Sequence, residues 1–126
     1  MAAKQLHILV VEDDDDGQEL MASLLQHMNV NVDIAADAFE AERYLFQSGN
    51  NYDAALIDLA LPDKNGWQLL SEVLAEQRTA NLPCIAITAY HTSKLREEAL
   101  MAGFRAYFPK PIDAMTFLRE LENILR

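Results

Sequence analysis

The sequence predicts one α/β domain, spanning residues 1–126, with a five-stranded parallel sheet and helices on both faces of the sheet. Short continuous apolar runs, typical of strands buried on both faces, alternate with stretches in which apolar residues recur at helical spacing. No linker, repeat or low-complexity tract interrupts this alternation, and 126 residues suffice for one such domain. Strands that alternate with helices form parallel sheets through right-handed crossovers.

The predicted strands are apolar segments bounded by turn residues or by helices. In chain order they are Ile8–Val11, Val30–Ile34, Ala54–Ile57, Pro83–Ile87 and Phe104–Phe108. In the second strand apolar residues alternate with polar ones, which indicates a position nearer the edge of the sheet.

The predicted helices have apolar stripes and, at several of their ends, capping residues. Three helices are indicated by apolar stripes within Leu20–Met28, Trp67–Leu74 and Phe117–Leu125, and two more are predicted from Asp37 to Gly49 and over Lys94–Ala102. Asp37, with Glu40 three residues later, indicates a helix start, and Asp113 is expected to be the N-cap of the last helix. Gly49 and Gly103 indicate helix ends.

Composition excludes several classes of function. Acidic residues outnumber basic ones 20 to 10, which gives a formal net charge of -10 and disfavours direct contact with nucleic acid. No apolar run reaches the roughly 18 residues of a membrane span, and Met1–Leu6 does not resemble a signal peptide. The single cysteine, Cys84, fits a reducing cytoplasm and a buried strand. We therefore expect a cytoplasmic protein without membrane contacts.

Polar side chains follow four of the five apolar strands at the point where each strand ends. Glu12 and Asp13 follow the first strand, Asp58 the third, Thr88 the fourth and Lys110 the fifth. Because open α/β sheets place their sites at the carboxyl ends of the strands, these side chains are expected to converge. Carboxylates about 5 Å apart repel by roughly 3 kcal/mol per pair. Mg²⁺, which suits two carboxylates, a backbone carbonyl and retained waters, would relieve that repulsion.

This set of groups suits phosphoryl transfer onto a carboxylate. An ionised aspartate is already a nucleophile and needs no general base. A cation, an ammonium and a hydroxyl can neutralise the oxygens of the transferred group. The glycines do not form a glycine-rich phosphate loop, which argues against nucleotide binding through such a loop.

Four segments resemble the motifs of two-component response regulator receiver domains, including the chemotaxis-regulator type. They are Ile8–Asp14, Leu56–Pro62, Ile87–Tyr90 and Tyr107–Pro111, in the order and spacing of the family. The resemblance extends from about Leu6 to Arg126. It implies a flavodoxin-like, doubly wound fold with strand order 2-1-3-4-5.

The resemblance implies that Asp58 is the phosphoacceptor and that Mg²⁺ is the cofactor. Glu12, Asp13, Asp58 and the backbone carbonyl of Ala60 would be the protein ligands of the metal. Glu12 departs from the aspartate that is commoner in the family, which lengthens one ligand arm without removing its charge.

Three further roles are implied by the same resemblance. Thr88 and Lys110 would bind the phosphoryl oxygens, and Thr88 and Tyr107 would form the conformational switch. The peptide bond between Lys110 and Pro111 is usually cis in the family.

The implied function is a phosphorylation-dependent signalling switch rather than an enzyme with turnover. A histidine kinase or histidine phosphotransfer protein would donate the phosphoryl group, and the domain would assist its own Mg²⁺-dependent phosphorylation and dephosphorylation. The face formed by the fourth helix, fifth strand and fifth helix would then change and control binding of a downstream protein. The nearly balanced charge of residues 94–126 fits docking there, although scatter along solvated helices explains it equally well.

Two other classes of function stay open on the sequence. A small hydrolase with an aspartyl-phosphate intermediate would use similar acids, but such enzymes usually have a second Asp at the position of Ala60. A docking module that never accepts phosphate would not need the complete set of acidic, hydroxyl and ammonium groups. His7, His27 and His91 lack the spacing of a metal site and are expected to be structural or exposed.

Overall fold

The structure is a computed structural model that describes residues 5–126, so residues 1–4 of the predicted domain lie outside the described part. The strands are β1 (Leu6–Val11), β2 (Val30–Ala35), β3 (Ala54–Asp58), β4 (Cys84–Thr88) and β5 (Ala106–Pro109). The helices are α1 (Asp15–Leu25), α2 (Ala38–Glu42), α3 (Gly66–Ala75), α4 (Ser93–Ala102) and α5 (Ala114–Leu125). Strands and helices alternate along the whole described chain, as the sequence predicts.

The five strands form one parallel sheet in the order β2-β1-β3-β4-β5, which confirms the predicted flavodoxin-like topology. In the register of this sheet Val11 lies beside Ile57, and Asp58 lies beside Ile87. Thr88 in turn lies beside Pro109. The carboxyl ends of β1, β3, β4 and β5 are therefore nearly level, so the residues that follow them share one edge of the sheet.

Helices cover both faces of the sheet, and each face has its own apolar core. On one face the strands pack against α1 and α5 through Met21, Leu25, Phe117 and Leu121, all of them buried. The other face packs against α2, α3 and α4 through residues that include Leu69, Leu70, Val73 and Ala99. Alternate residues of β1 enter the two cores, which explains why this strand is a continuous apolar run in the sequence.

The helical stretch between Asp37 and Gly49 differs in detail from the expectation. Asp37 caps α2 by accepting a hydrogen bond from Glu40 N, but after Glu42 the chain continues as a π-helical turn over Arg43–Gln47. Apolar spacing does not distinguish an α-helical turn from the slightly wider π turn. Gly49 ends the stretch with a positive φ of 80°, as expected of a glycine at that place.

The start of β5 and the cap of α5 also differ from the expectations. Phe104 was expected in the strand, but its amide donates to the Ala99 carbonyl at 3.1 Å and so belongs to the end of α4. Asp113 does occupy the N-cap position of α5, yet its carboxylate accepts from the Thr116 hydroxyl rather than from a backbone amide.

None of the helices within residues 5–126 combines the length and the apolar character needed to cross a bilayer.

Candidate functional site

Three carboxylates converge at the carboxyl edge of the sheet. One oxygen from each of Glu12, Asp13 and Asp58 lies within 4.8 Å of the other two. Glu12 follows β1 directly and is 3% exposed, whereas Asp58 ends β3 and is 6% exposed. Asp13 is exposed to solvent. The structure therefore brings together the three acidic side chains that the sequence singled out, and their oxygens are close enough to share one cation.

Lys110, which follows β5, donates to both buried carboxylates. Its Nζ lies 2.6 Å from Glu12 Oε1 and 3.1 Å from Asp58 Oδ2. Burial of the ammonium lowers the pKa of Lys110, but the carboxylates of Glu12 and Asp58 outweigh burial and raise this pKa above its usual value. The cluster thus contains one ammonium group, that of Lys110, among three acidic groups and retains an excess of negative charge.

The ionisation of Glu12 reflects this crowding. Burial raises the pKa of Glu12, the hydrogen bond from Lys110 lowers it, and the neighbouring Asp58 raises it again. The result is a pKa above the ordinary glutamate value. A divalent cation would favour the ionised form of Glu12 by supplying the positive charge that Lys110 provides only in part.

The Asp58 carboxylate is oriented by two donors on opposite oxygens. Oδ2 accepts from Lys110, and Oδ1 accepts from the backbone amide of Ala60 at 2.8 Å. Behind Asp58, Gly66 begins α3 in close contact with the backbone of β3. A Cβ at residue 66 would lie 2.7 Å from the Asp58 carbonyl oxygen and 3.0 Å from Leu59 Cα. The absence of a side chain at Gly66 therefore allows α3 to pack directly behind Asp58.

Thr88 ends β4 and is almost completely buried. Its hydroxyl oxygen accepts a hydrogen bond from the Tyr90 amide at 3.0 Å, and its carbonyl accepts from the Lys110 amide at 2.7 Å. The second of these bonds aligns the residue after β5 with the end of β4. The peptide bond between Lys110 and Pro111 is cis, as expected.

Tyr107 lies in β5 with its ring turned into the protein, and only 5% of the residue is exposed. Its hydroxyl is hydrogen-bonded to His91 Nδ1 at 3.1 Å, and the two rings are tilted with centroids 5.5 Å apart. Burial raises the pKa of Tyr107. His91, which was expected to be structural or exposed, is exposed, but its contact with Tyr107 was not foreseen, because nothing in the sequence connects the loop after β4 to that ring.

Asp63 is a second residue whose partners the sequence did not reveal. The sequence places it in a turn after β3, and the structure shows its two carboxylate oxygens accepting from the amides of Ala38 and Phe39, each at 3.0 Å. The loop that follows Asp58 is thereby attached to the first turn of α2. Lys64, the next residue, is not part of the acidic cluster.

These observations define a class of protein. A parallel sheet of order 2-1-3-4-5 presents, at its carboxyl edge, an acidic group that can share a cation, a buried aspartate bonded to a lysine, and a buried hydroxyl. This is the arrangement that the resemblance to receiver domains implies.

Comparison with known proteins identifies the family. The response regulator receiver domain family matches residues 8–122, and the chain belongs to this family. Members of the family are phosphoacceptor domains of two-component signalling.

Two curated relatives and one solved structure illustrate the similarity. The chain is 34% identical over 119 residues to an uncharacterised 14.6 kDa protein from the sodA1 3' region of Leptolyngbya boryana, covering 94% of this chain and 89% of that protein. It is 31% identical over 121 residues to the regulatory protein VanRB of Enterococcus faecalis, covering 96% of this chain and 53% of VanRB. This chain spans about half or less of the length of several curated relatives.

The solved structure is the receiver domain of the sensor histidine kinase PA1611 from Pseudomonas aeruginosa, which has a magnesium ion coordinated in its active-site cleft. The two chains are 30% identical, with a TM-score of 0.85 over 97% of this chain and 98% of that one.

Proposed function

We propose that this chain, over residues 1–126, is a cytoplasmic phosphorylation switch in which Asp58 accepts a phosphoryl group from a histidine kinase or a histidine phosphotransfer protein. One observation carries the proposal: Asp58 is buried, bonded to Lys110 and within 4.8 Å of two further carboxylates. An aspartate in such a group has both the nucleophilic oxygen and the neighbours needed to neutralise an incoming phosphoryl group.

Mg²⁺ is the cofactor that fits this group of residues. Glu12, Asp13 and Asp58 would hold it, together with the backbone carbonyl of Ala60, and the close approach of three carboxylate oxygens supports this assignment. When bound, Mg²⁺ supplies positive charge to the carboxylates and to the phosphoryl oxygens. The magnesium ion in the PA1611 receiver domain supports the same choice of metal.

The residues of the chain contribute position and charge. An Asp58 oxygen attacks the phosphorus of phosphohistidine, a new O–P bond forms, and the P–N bond breaks with its electron pair left on the imidazole of the donor. Lys110 already contacts Asp58 and would donate to an oxygen of a phosphoryl group bound there. The Thr88 hydroxyl, which accepts from Tyr90, remains able to donate its own proton to a second phosphoryl oxygen. The same groups would assist the later attack of water that removes the phosphoryl group.

Phosphorylation of Asp58 would affect the binding of partners at the face formed by α4, β5 and α5. Movement of Thr88 towards the phosphoryl group would change the space beside Tyr107, whose hydroxyl is held by His91. A coupling of about 1–3 kcal/mol between the two sites is enough for a useful change in affinity. The expected partner at this face is a downstream protein.

Labelling with a small phosphodonor tests the proposal. The wild-type chain, incubated with acetyl phosphate and Mg²⁺, is expected to gain one phosphoryl group by mass spectrometry, and Asp58→Asn is expected to gain none. Asp63→Asn is the matched control, because Asp63 lies on the same loop outside the acidic cluster. Undiminished labelling of Asp58→Asn would exclude Asp58 as the acceptor. Complete absence of labelling in the wild-type chain would favour a docking module that accepts no phosphate.

A further inference from the structure

Gly17 lies in the first turn of α1, although the backbone there does not require a glycine. Among the described residues, the glycines with positive φ are Gly49 and Gly103. Gly17 thus has an ordinary helical conformation, which alanine adopts more readily than glycine does. What distinguishes this position is the space that a side chain would need.

The Glu12 side chain occupies the space beside Gly17. A Cβ at residue 17 would lie 2.5 Å from Glu12 Oε1, 2.7 Å from its Cδ and 2.9 Å from its Cγ. Atoms in folded proteins do not pack at such distances, so any side chain at residue 17 would displace Glu12.

Displacement of the Glu12 side chain would disturb the contacts that hold its carboxylate. Oε1, the atom nearest to the missing Cβ, is also the atom that accepts from Lys110 Nζ at 2.6 Å. Oε2 accepts from the Asp14 amide at 3.3 Å. The backbone of Glu12 is held as well, because its carbonyl accepts from the Gln18 side chain and its amide donates to Ala35. The side chain is therefore the part that would have to move.

We propose that Gly17 is a positioning residue for the phosphoryl-transfer site, because its missing side chain lets the long Glu12 side chain place its carboxylate beside Lys110. The inference rests on the proposed function, since it assumes that Glu12 contributes an oxygen to Mg²⁺. It also explains how this chain accommodates Glu12, whose side chain is longer than that of the aspartate commoner at this position in the family. The additional methylene of Glu12 lies over the open surface of the glycine.

A double-mutant cycle tests the inference, with Mg²⁺ affinity measured by calorimetry on the full chain. Gly17→Ala is expected to weaken Mg²⁺ binding about tenfold, which is typical when a group that orients a metal ligand is altered. In the Glu12→Asp background the same substitution is expected to change the affinity less than about twofold, because the shorter side chain leaves room for the Cβ. Ser23→Ala, at an exposed position of α1, is the matched control and should leave the affinity unchanged.

Thermal unfolding without Mg²⁺ is the second readout, and Gly17→Ala is expected to unfold cooperatively because alanine favours the helix. Wild-type affinity in Gly17→Ala would overturn the inference and leave the proposed function intact. An equal loss in both backgrounds would also overturn it, since the added methyl group would then act independently of the length of Glu12. If Gly17→Ala prevents folding and Glu12→Asp does not restore it, the inference is likewise overturned. A wild-type chain without measurable Mg²⁺ affinity would overturn both the proposed function and this inference.

Discussion

Replacing Lys110 by methionine tests whether a single ammonium group compensates the acidic cluster when no metal ion is bound. Lys110 Nζ lies 2.6 Å from Glu12 and 3.1 Å from Asp58, and both carboxylates are almost completely buried. Methionine preserves most of the length of the lysine stem, so Lys110→Met removes mainly the charge. The expected result is a less stable protein, because the two carboxylates lose their only donor side chain among those described.

The contacts of Lys110 set the size of this effect. Removing one partner of a fully buried ion pair costs about 3–5 kcal/mol, because the remaining charge is left without compensation. The Lys110 side chain is 28% exposed, so water screens part of its charge. We therefore expect the free energy of unfolding to fall by about 2 kcal/mol, between the values for buried and for exposed pairs.

Urea unfolding at neutral pH in the presence of a chelator measures how much stability Lys110→Met loses. Addition of Mg²⁺ is expected to reduce the difference between Lys110→Met and wild type, since a divalent cation replaces the missing charge. Asp13→Ala is the comparison, because removal of this exposed carboxylate relieves repulsion and should not reduce stability without Mg²⁺. A Lys110→Met chain within about 0.5 kcal/mol of wild type in chelator would refute the reasoning, since this is the range of a neutral surface substitution.

Three further predictions concern residues outside the acidic cluster. Asp63→Ala should lower the free energy of unfolding at neutral pH by about 1 kcal/mol, the usual value of a helix cap. Slight burial raises the pKa of Asp63, but the hydrogen bonds from the α2 amides outweigh burial and hold this pKa below the ordinary 3.8. The difference in stability between Asp63→Ala and wild type should therefore vanish in urea titrations as the pH falls through that lowered pKa. Gly66→Ala should lower the free energy of unfolding by about 1–3 kcal/mol in the same assay, because the added Cβ meets the backbone of Asp58. Wild-type stability of this variant would show that α3 shifts freely. Burial raises the pKa of Cys84 to about 12, so its thiol should react with a disulfide reagent only at the rate of unfolding, and rapid reaction of the native chain would contradict this.

Much of the fold could be predicted because each element is specified locally. Strands buried on both faces are continuous apolar runs, and the polar residue after each run marks the strand end. That is why the sequence alone assigns Asp58 and Thr88 to one edge of the sheet. The order of the strands, by contrast, came from the resemblance of four motifs to a family.

The features that were missed depend on partners far away in the chain. Asp63 is recognisable as a turn residue, but the amides that it binds lie 24 and 25 residues earlier in the chain. The start of β5 was wrong for a related reason. Phe104 is apolar and buried, yet its amide belongs to the end of α4 and its ring packs edge-on against Trp67. Apolar character indicates burial but does not specify which backbone partner an amide takes.

The two contacts of Lys110 have a consequence for how the protein is made. They join positions separated by 98 residues for Glu12 and by 52 residues for Asp58. A nascent chain whose β5 is still inside the ribosome lacks the Lys110 ammonium that contacts Glu12 and Asp58 in the complete fold. We therefore expect the acceptor role proposed for Asp58 to require that β5 and Lys110 have been added to the sheet.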